Sequence, residues 1–558
     1  MSSRVHTAIT LANRITPGFG RLLPVSLVFT LLLLSGCKTP TTSGGGSTPG
    51  TPLKVVSTTP ANGSTGVSVY NSVQVVFNEA PDPASVSESS FETHGIIGTY
   101  TVNGKVVTFI PSNPSPLAGT TKYDFTLVPG AAGIHGLADP KQVLESRYDF
   151  SFTTSAITDC AEASVLCVDD TPGPEQEYST IQDAVDNVIA GETILVFNGT
   201  YQGFRISRSG SPTARITIKA NGNGVLINQR EPGGSGNSVL ISNASYVTVD
   251  GFTVDHMGAS GFAFAARNAS PSSPMRGLVI SNNTVKNAAS TNLYLSEVAD
   301  SVVEGNTTFG SLTSHGIYLA NGGSDNTVLR ANTSYDNAKA GIHLNGDLSV
   351  GGDGLHQNIT VEDNIIYNNT GNGLDFDGLQ NAVIRNNLVY GNGRHSLRIF
   401  KIDAAAGPAN IKVINNTFYS GNNGWAIKFS DDAGGNVFFN NILLTRSNSL
   451  GAISLDNAHS ASDYNIVTGR FSTDNDSSIV GLSTWQANGF GAHSIVSDPS
   501  TVFSNPDNND FDLAPGSPAI DMGVGSYQGS TAPTRDMVGT SRPQGPGYDA
   551  GSRELVTP

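Results

Sequence analysis

Three scarcities bound this chain of 558 residues before any motif is read. Charge is scarce, since Asp, Glu, Lys and Arg together make up 14%. Cations are scarcer still, at 30 Lys and Arg against 46 Asp and Glu, for a formal charge of −16. Such a surface repels nucleic acid, and a polyanionic ligand needs a local basic patch. Cysteine occurs three times, with only Cys160 and Cys167 close together. Two thiols alone cannot complete a zinc site, and in an exported chain a disulfide is the simplest expectation. Long apolar runs are missing too: Leu22 to Leu34 is too short to span a bilayer comfortably and has the length of a signal h-region. What abounds is Gly, at 63 residues, with Asn, Ser and Thr in the polar positions. That is the composition of a turn-rich β protein, and the length implies two or three domains.

Arg4, Arg14 and Arg21 form a positive n-region with no acid. The sequence Leu34-Ser35-Gly36-Cys37 then resembles the lipobox of bacterial lipoproteins. The resemblance implies cleavage after Gly36 and acylation of Cys37, so that the only membrane contact is the lipid. An ordinary signal peptide cut near Gly36 is the alternative. Lys38, in place of the Asp associated with inner-membrane retention, implies the outer membrane, with the body periplasmic or on the cell surface. Loss of residues 1–36 removes three Arg and moves the formal charge from −16 to −19. Residues 37–52 read as a Gly/Ser/Thr/Pro tether.

Residues 53–155 carry strand-like segments, including Val73 to Phe77, Val106 to Ile110 and Tyr123 to Leu127, separated by Pro/Gly/Asn punctuation. The pattern TTPANGSTGVSV…VQVVFNEAPDPAS…VVTFIPSNPSPLAGTTKYDFTLVPG resembles the bacterial Ig-like domain of S-layer and surface proteins. It implies a small β-sandwich acting as spacer or adhesion module. From Tyr178 the pattern becomes helical, with apolar Ile181, Ala184, Val185, Val188 and Ile189. Ser179 and Gln182 are expected to form a capping box, and Gly191 to stop about three turns. The segment YSTIQDAVDNVIAGETILVFNGTY resembles the N-terminal cap of pectate-lyase-like β-helices.

A repeat follows. Asn283, Asn306, Asn332, Asn364, Asn387, Asn416 and Asn441 sit in short polar turns, separated by 23, 26, 32, 23, 29 and 25 residues. This suits one turn of a three-sided parallel coil, with Asn in the left-handed corners and amides stacked from rung to rung. The consensus of leucine-rich repeats, the main rival, is missing. The expected fold is therefore all-β: a right-handed parallel β-helix (solenoid) over 156–463, preceded by the small Ig-like sandwich. Residues 464–558 resemble the C-terminal region of bacterial β-helix proteins and are expected to cap the last rungs.

Aligning the rungs on Asn also aligns one strand in each. Alternation turns the aliphatic residues inward and leaves one outward column: Tyr294, Tyr318, His343, Asp375, Arg398 and Lys428. A second column holds Asn345, Asp377 and Ser430, and Asp347 lies on a loop. The extra residues of the two longest rungs, 346–357 and 401–409, flank this face. A solvated exterior is the ordinary reading of any one such residue. Yet an acidic chain gathers Arg394, His395, Arg398, Lys401 and Lys428 here, beside two aspartates.

These residue types suit β-elimination on a uronate, which needs charge neutralisation, a base and an acid. The expected catalytic set is Lys428 and Arg398 as base or carboxylate clamp, with His343 and Tyr318 as proton donors or bases. Tyr294, Lys401, His395 and Asn345 are expected to bind the polysaccharide, and Asp347, Asp375 and Asp377 to hold Ca²⁺. The protein is expected to be a monomer that binds no nucleic acid. The resemblance to β-helix polysaccharide lyases covers about residues 160–460, but neither Arg-x-Pro-x-x-Arg nor Asp-Pro-His-Asp occurs. GIHLNGD, DFDG and RIFK resemble polygalacturonase elements in another order and spacing. A glycoside hydrolase using Asp375 with Asp377 or Asp347 is the second reading. A non-catalytic glycan adhesin using Tyr294, Tyr318 and Trp425 is the third.

Overall fold

The computed structural model describes residues 52–67, 72–113, 117, 120–130, 133–137, 139, 142–154, 160, 164–172, 176–268, 270, 273–322 and 324–556. The expected signal peptide, Cys37 and all of the tether except Pro52 lie outside them.

In the N-terminal domain one four-stranded sheet runs in the order Val55–Thr59, Val73–Phe77, Val106–Asn113, Ile97–Asn103. A second sheet carries Phe91–Glu92 and Lys122–Leu127. Period-two burial in Val73–Phe77 sends Val73, Val75 and Phe77 inward. Phe91, Phe109, Phe125 and Phe150 fill the interior, Phe125 stacking on Phe150 at 5.2 Å between centroids.

The larger body is a three-sided parallel β-solenoid. Among the described residues its sheets hold twelve, twelve and eleven strands. The first begins at Val165–Val168, the second at Gly199–Gln202 and the third at Phe204–Ile206. A disulfide joins Cys160 to Cys167 at the first of these strands. Each rung exposes two strand edges that only the next rung can satisfy, so the coil needs a plug at each end. At the N-terminal end the helix Ile181–Asn187 covers the core with Ile181, Ala184 and Val185. It is shorter than expected, because Val188 is already extended. Its cap also sits one residue later than expected: Thr180 Oγ1 accepts the Asp183 N–H at 3.1 Å. Gln182 instead accepts the Arg205 N–H of the third sheet.

The Asn ladder is continuous. Each side chain donates to the carbonyl oxygen of the next rung's Asn side chain at 2.9–3.1 Å, from Asn283 through Asn441 to Asn465. The left-handed residue, however, is the one before: Asn282, Gly305, Ala331, Asp363, Asn386, Asn415 and Asn440 have positive φ. The turn residue makes the corner, and the Asn after it points inward, where its amide is satisfied by its neighbours. A second ladder, Asn337–Asn369–Asn392, supports the next corner.

The coil continues past residue 463 through Ile466–Val467, Phe471–Ser472 and Ile495–Val496. Its end is closed by Trp485, stacked between Phe471 at 4.6 Å and Phe490 at 4.3 Å. The final segment returns along the outside of the coil. There Asn386, Asn415 and Asn440 donate to the carbonyls of Arg535, Asp549 and Val524.

One corner residue makes stability depend on pH. Glu297 is 2% exposed, has φ 57°, and its Oε2 has no partner among the described residues. Burial pushes its carboxyl up to about 7, only partly offset by Asn321. The folded chain therefore holds this proton more tightly than the unfolded chain. The contribution is fully present below about pH 4.5 and is lost as pH rises through about 7. Glu297→Gln is expected to raise the melting temperature by a few degrees above neutral pH and to change it little in acid. Equal shifts at both pH values would contradict this.

Candidate functional site

The third sheet sets the column in strict register. Tyr294, Tyr318, His343, Asp375, Arg398 and Lys428 are paired one to the next on six consecutive strands. The flanking Leu293, Leu295, Ile342, Leu344, Leu374, Phe376, Leu397 and Ile399 are fully buried. Alternation thus anchors the scaffold inward and presents the polar residues outward.

The centre of the column is a hydrogen-bonded set. His343 Nδ1 lies 2.7 Å from the Asp375 carbonyl oxygen and 3.4 Å from the Asp375 carboxylate. A carbonyl can only accept, so Nδ1 carries a proton, and in the neutral ring the lone pair falls on Nε2. Asp375 also accepts from Asn372 Nδ2 at 2.8 Å and faces Arg398 Nη1 at 3.7 Å. The Arg398 guanidinium lies 3.8 Å over the Phe400 ring, which fixes its plane.

On the N-terminal side Tyr318 packs 4.8 Å from the His343 ring. Burial raises the Tyr318 phenol well above its ordinary range, and Tyr294, Asp347, Asp403 and Asp377 add to that. It is a proton donor at neutral pH. Tyr294 stacks flat on Phe262 at 4.1 Å and meets Tyr318 edge-on.

His315, absent from the sequence expectations, stacks on His343 at 4.3 Å. Its Nδ1 accepts the Ala340 N–H, and burial brings it down to about 2, helped by His343 and Lys339. It is a neutral support for His343. His395 occupies the equivalent place two residues before its strand. Its Nδ1 accepts the Trp425 N–H at 2.9 Å, and burial, with Lys428 and Arg398, lowers it to about 4. His395, expected to contact the sugar, is therefore neutral and braces the corner.

Several other expected site residues are engaged elsewhere in the structure. Lys428 is ion-paired with Asp476, which also accepts from Ser454 Oγ, so its charge is already countered. Asp476 reaches back to make this contact from a loop after the strand Phe471–Ser472. Asp377 is fully buried, and its oxygens accept the Ile402 and Asp403 N–H groups at 2.9 and 2.8 Å. Burial raises its carboxyl, with those two N–H groups opposing. Asp347 caps the turn Leu348–Val350 by accepting from Ser349. Asp375 serves the His343 and Arg398 contacts. Among the described residues no three His, Cys, Asp or Glu side chains form a metal-binding group, so the expected Ca²⁺ set of Asp347, Asp375 and Asp377 is not assembled. Trp425 is fully buried and offers no sugar platform. Asn345 is half-buried beside Asp377, and Lys401 is exposed. The two inserted loops are tied together, Leu348 N–H to Asp403 O and Ala405 N–H to Gly354 O, both at 3.1 Å.

Two family models match. Residues 49–154 match the bacterial Ig-like domain, and residues 202–375 and 237–418 match the right handed beta helix region. The chain therefore combines a bacterial Ig-like domain with a right-handed parallel β-helix. Among solved structures, pectate lyase Pel9A is similar at 14% identity and TM-score 0.47, over 70% of this chain and 96% of that one. The alginate lyase of Paenibacillus sp. str. FPU-7 is similar at 15% identity and TM-score 0.36, over 52% and 96%. The mannuronan C-5 epimerase AlgE4 A-module of Azotobacter vinelandii is similar at 16% identity and TM-score 0.28, over 57% and 92%. No curated protein matches the chain.

Proposed function

We propose that the third sheet of the coil cleaves an acidic, uronate-containing polysaccharide by β-elimination. The observation that carries this reading is the His343–Asp375–Arg398 set, with a fixed imidazole tautomer and a guanidinium in register on consecutive strands. Arg398 holds the uronate carboxylate and stabilises the charge that grows as the C5 proton leaves. His343 Nε2 takes that proton. The C5–H electrons form the C4–C5 double bond, the C4–O bond breaks, and Tyr318 protonates the departing oxygen. Tyr294 with Phe262 offers an apolar ring face to a neighbouring sugar. Asp347 and Asp377 already accept backbone N–H groups, so no step is routed through a metal.

A hydrolase needs a free carboxylate pair, and the engagement of Asp377 by Ile402 and Asp403 removes one of the carboxylates considered. The Tyr294–Phe262 stack favours glycan binding without turnover as the second reading. Mass spectrometry of products from a panel of polyuronates separates them. Elimination gives fragments whose masses sum to the parent, hydrolysis adds one water per cut, and an adhesin leaves the polymer intact.

Separately, the lipobox-like Leu34-Ser35-Gly36-Cys37 and the following Lys38 lead us to propose an outer-membrane anchor through lipid on Cys37. Wild type is expected to incorporate labelled palmitate and partition into detergent, and Cys37→Ser to do neither. Equal labelling of the two would overturn the anchor.

A further inference from the structure

A cavity of about 690 Å³ lies at the N-terminal end of the third sheet, lined in part by Gln182, Asp186, Arg205, Ser207, Arg208 and Glu231. That volume is in the range of small-ligand sites, about 300–1,000 Å³. Arg205 belongs to the same outward column as the site above, through Leu240 and Ala265 to Tyr294. It precedes His343 by five rungs, or about 24 Å at the usual strand spacing. The intervening Leu240 and Ala265 are covered, so the cavity is a separate place on the sheet.

Most polar groups around the cavity are already committed. Glu231 accepts the N–H groups of Gly233 and Ser235. Arg208 donates to the carbonyls of Val188 and Asp186 at the end of the helix Ile181–Asn187. Gln182 accepts from the Arg205 backbone and donates to Asp186. The Arg205 guanidinium is different. It reaches only Ser242 Oγ, at 3.3 Å, and makes no ion pair among the described residues. Glu231 feels its charge from a distance without pairing with it. In an acidic chain an arginine held at a cavity without a bonded carboxylate leaves most of its donors for a ligand. Asp186 and Ser207 add exposed oxygens suited to sugar hydroxyls.

We propose that this cavity is a remote subsite for a uronate residue, with its carboxylate on Arg205 and its ring hydroxyls on Asp186 and Ser207. The inference rests on the acidic-polysaccharide reading of the central site, but not on elimination there. A polymer long enough to span both places gains affinity from the second contact, whereas a short oligomer occupies one.

The test is calorimetric binding of galacturonate and mannuronate trisaccharides to the full chain, with maltotriose as neutral control. An Arg398→Ala background disables the central clamp. In that background the uronate trisaccharides are expected to bind still. Adding Arg205→Ala should weaken them about tenfold or more, the scale of one charge-assisted contact. Arg205→Gln, which keeps the length and loses the charge, should do the same and guards against misfolding of the alanine variant. Equal binding with and without Arg205, equal binding of maltotriose, or no uronate binding would overturn the subsite. Lyase turnover that survives such a result would leave the central reading standing. Uronate binding lost with Arg205 in a protein that never eliminates would leave the subsite and remove the lyase.

Discussion

His343→Ala is expected to lower turnover on a polyuronate by about 10²–10⁴-fold, the range for losing a general base. The argument is local. The Asp375 carbonyl fixes the Nδ1 proton, and the neutral His315 ring stacks behind the imidazole, so Nε2 is held in one orientation. Truncation removes the ring contacts with His315 and Tyr318 and one hydrogen bond, worth about 1 kcal/mol each. A long coil tolerates that, so the folded fraction at ambient temperature should not change. Asn364→Ala gives the opposite pattern. It breaks the ladder between Asn332 and Asn387 and leaves buried groups unpaired, at a cost of about 1–3 kcal/mol, while the protein that remains folded keeps its turnover. Kinetics and thermal melts on the two variants check the contrast. Parallel losses of stability and activity in both would mean that His343 is only a packing residue.

Arg398→Ala is expected to cost about 10²–10³-fold in kcat/KM, as for a lost charge stabiliser. Arg398→Lys should recover only part, because an ammonium cannot reproduce a planar fork stacked on Phe400. Lys428→Ala is expected to have the smaller effect of the two cations, since Asp476 already counters Lys428. Steady-state kinetics on all three variants orders them. Unchanged kcat/KM in Arg398→Ala would move the carboxylate contact elsewhere.

Repeat and alternation made the coil legible, and with it the outward column from Tyr294 to Lys428. Those signals depend only on a period of one rung and a period of two residues. What stayed hidden depends on corners and on long-range contacts. Asp377 looks outward by alternation, yet it is the last residue of its strand, and the inserted loop closes over it to use its carboxylate. His315 lies two residues ahead of its strand, outside the aligned columns. Comparison with His395, at the same offset in a later rung, is the signal that marks it. Asp476 reaches Lys428 across 48 residues of sequence, from a loop that carries no repeat. The helix cap moved from Ser179 to Thr180 because two neighbouring hydroxyl residues compete and the first apolar contact of Ile181 fixes the register.

The most direct measurement is the ultraviolet absorbance of polyuronate solutions incubated with the purified protein, read at the band of the C4–C5 double bond conjugated to the carboxylate. The account predicts a steady rise on at least one polyuronate, persisting in the presence of chelator and abolished in His343→Ala. Reducing ends released without any rise, or binding with no new ends at all, would contradict it.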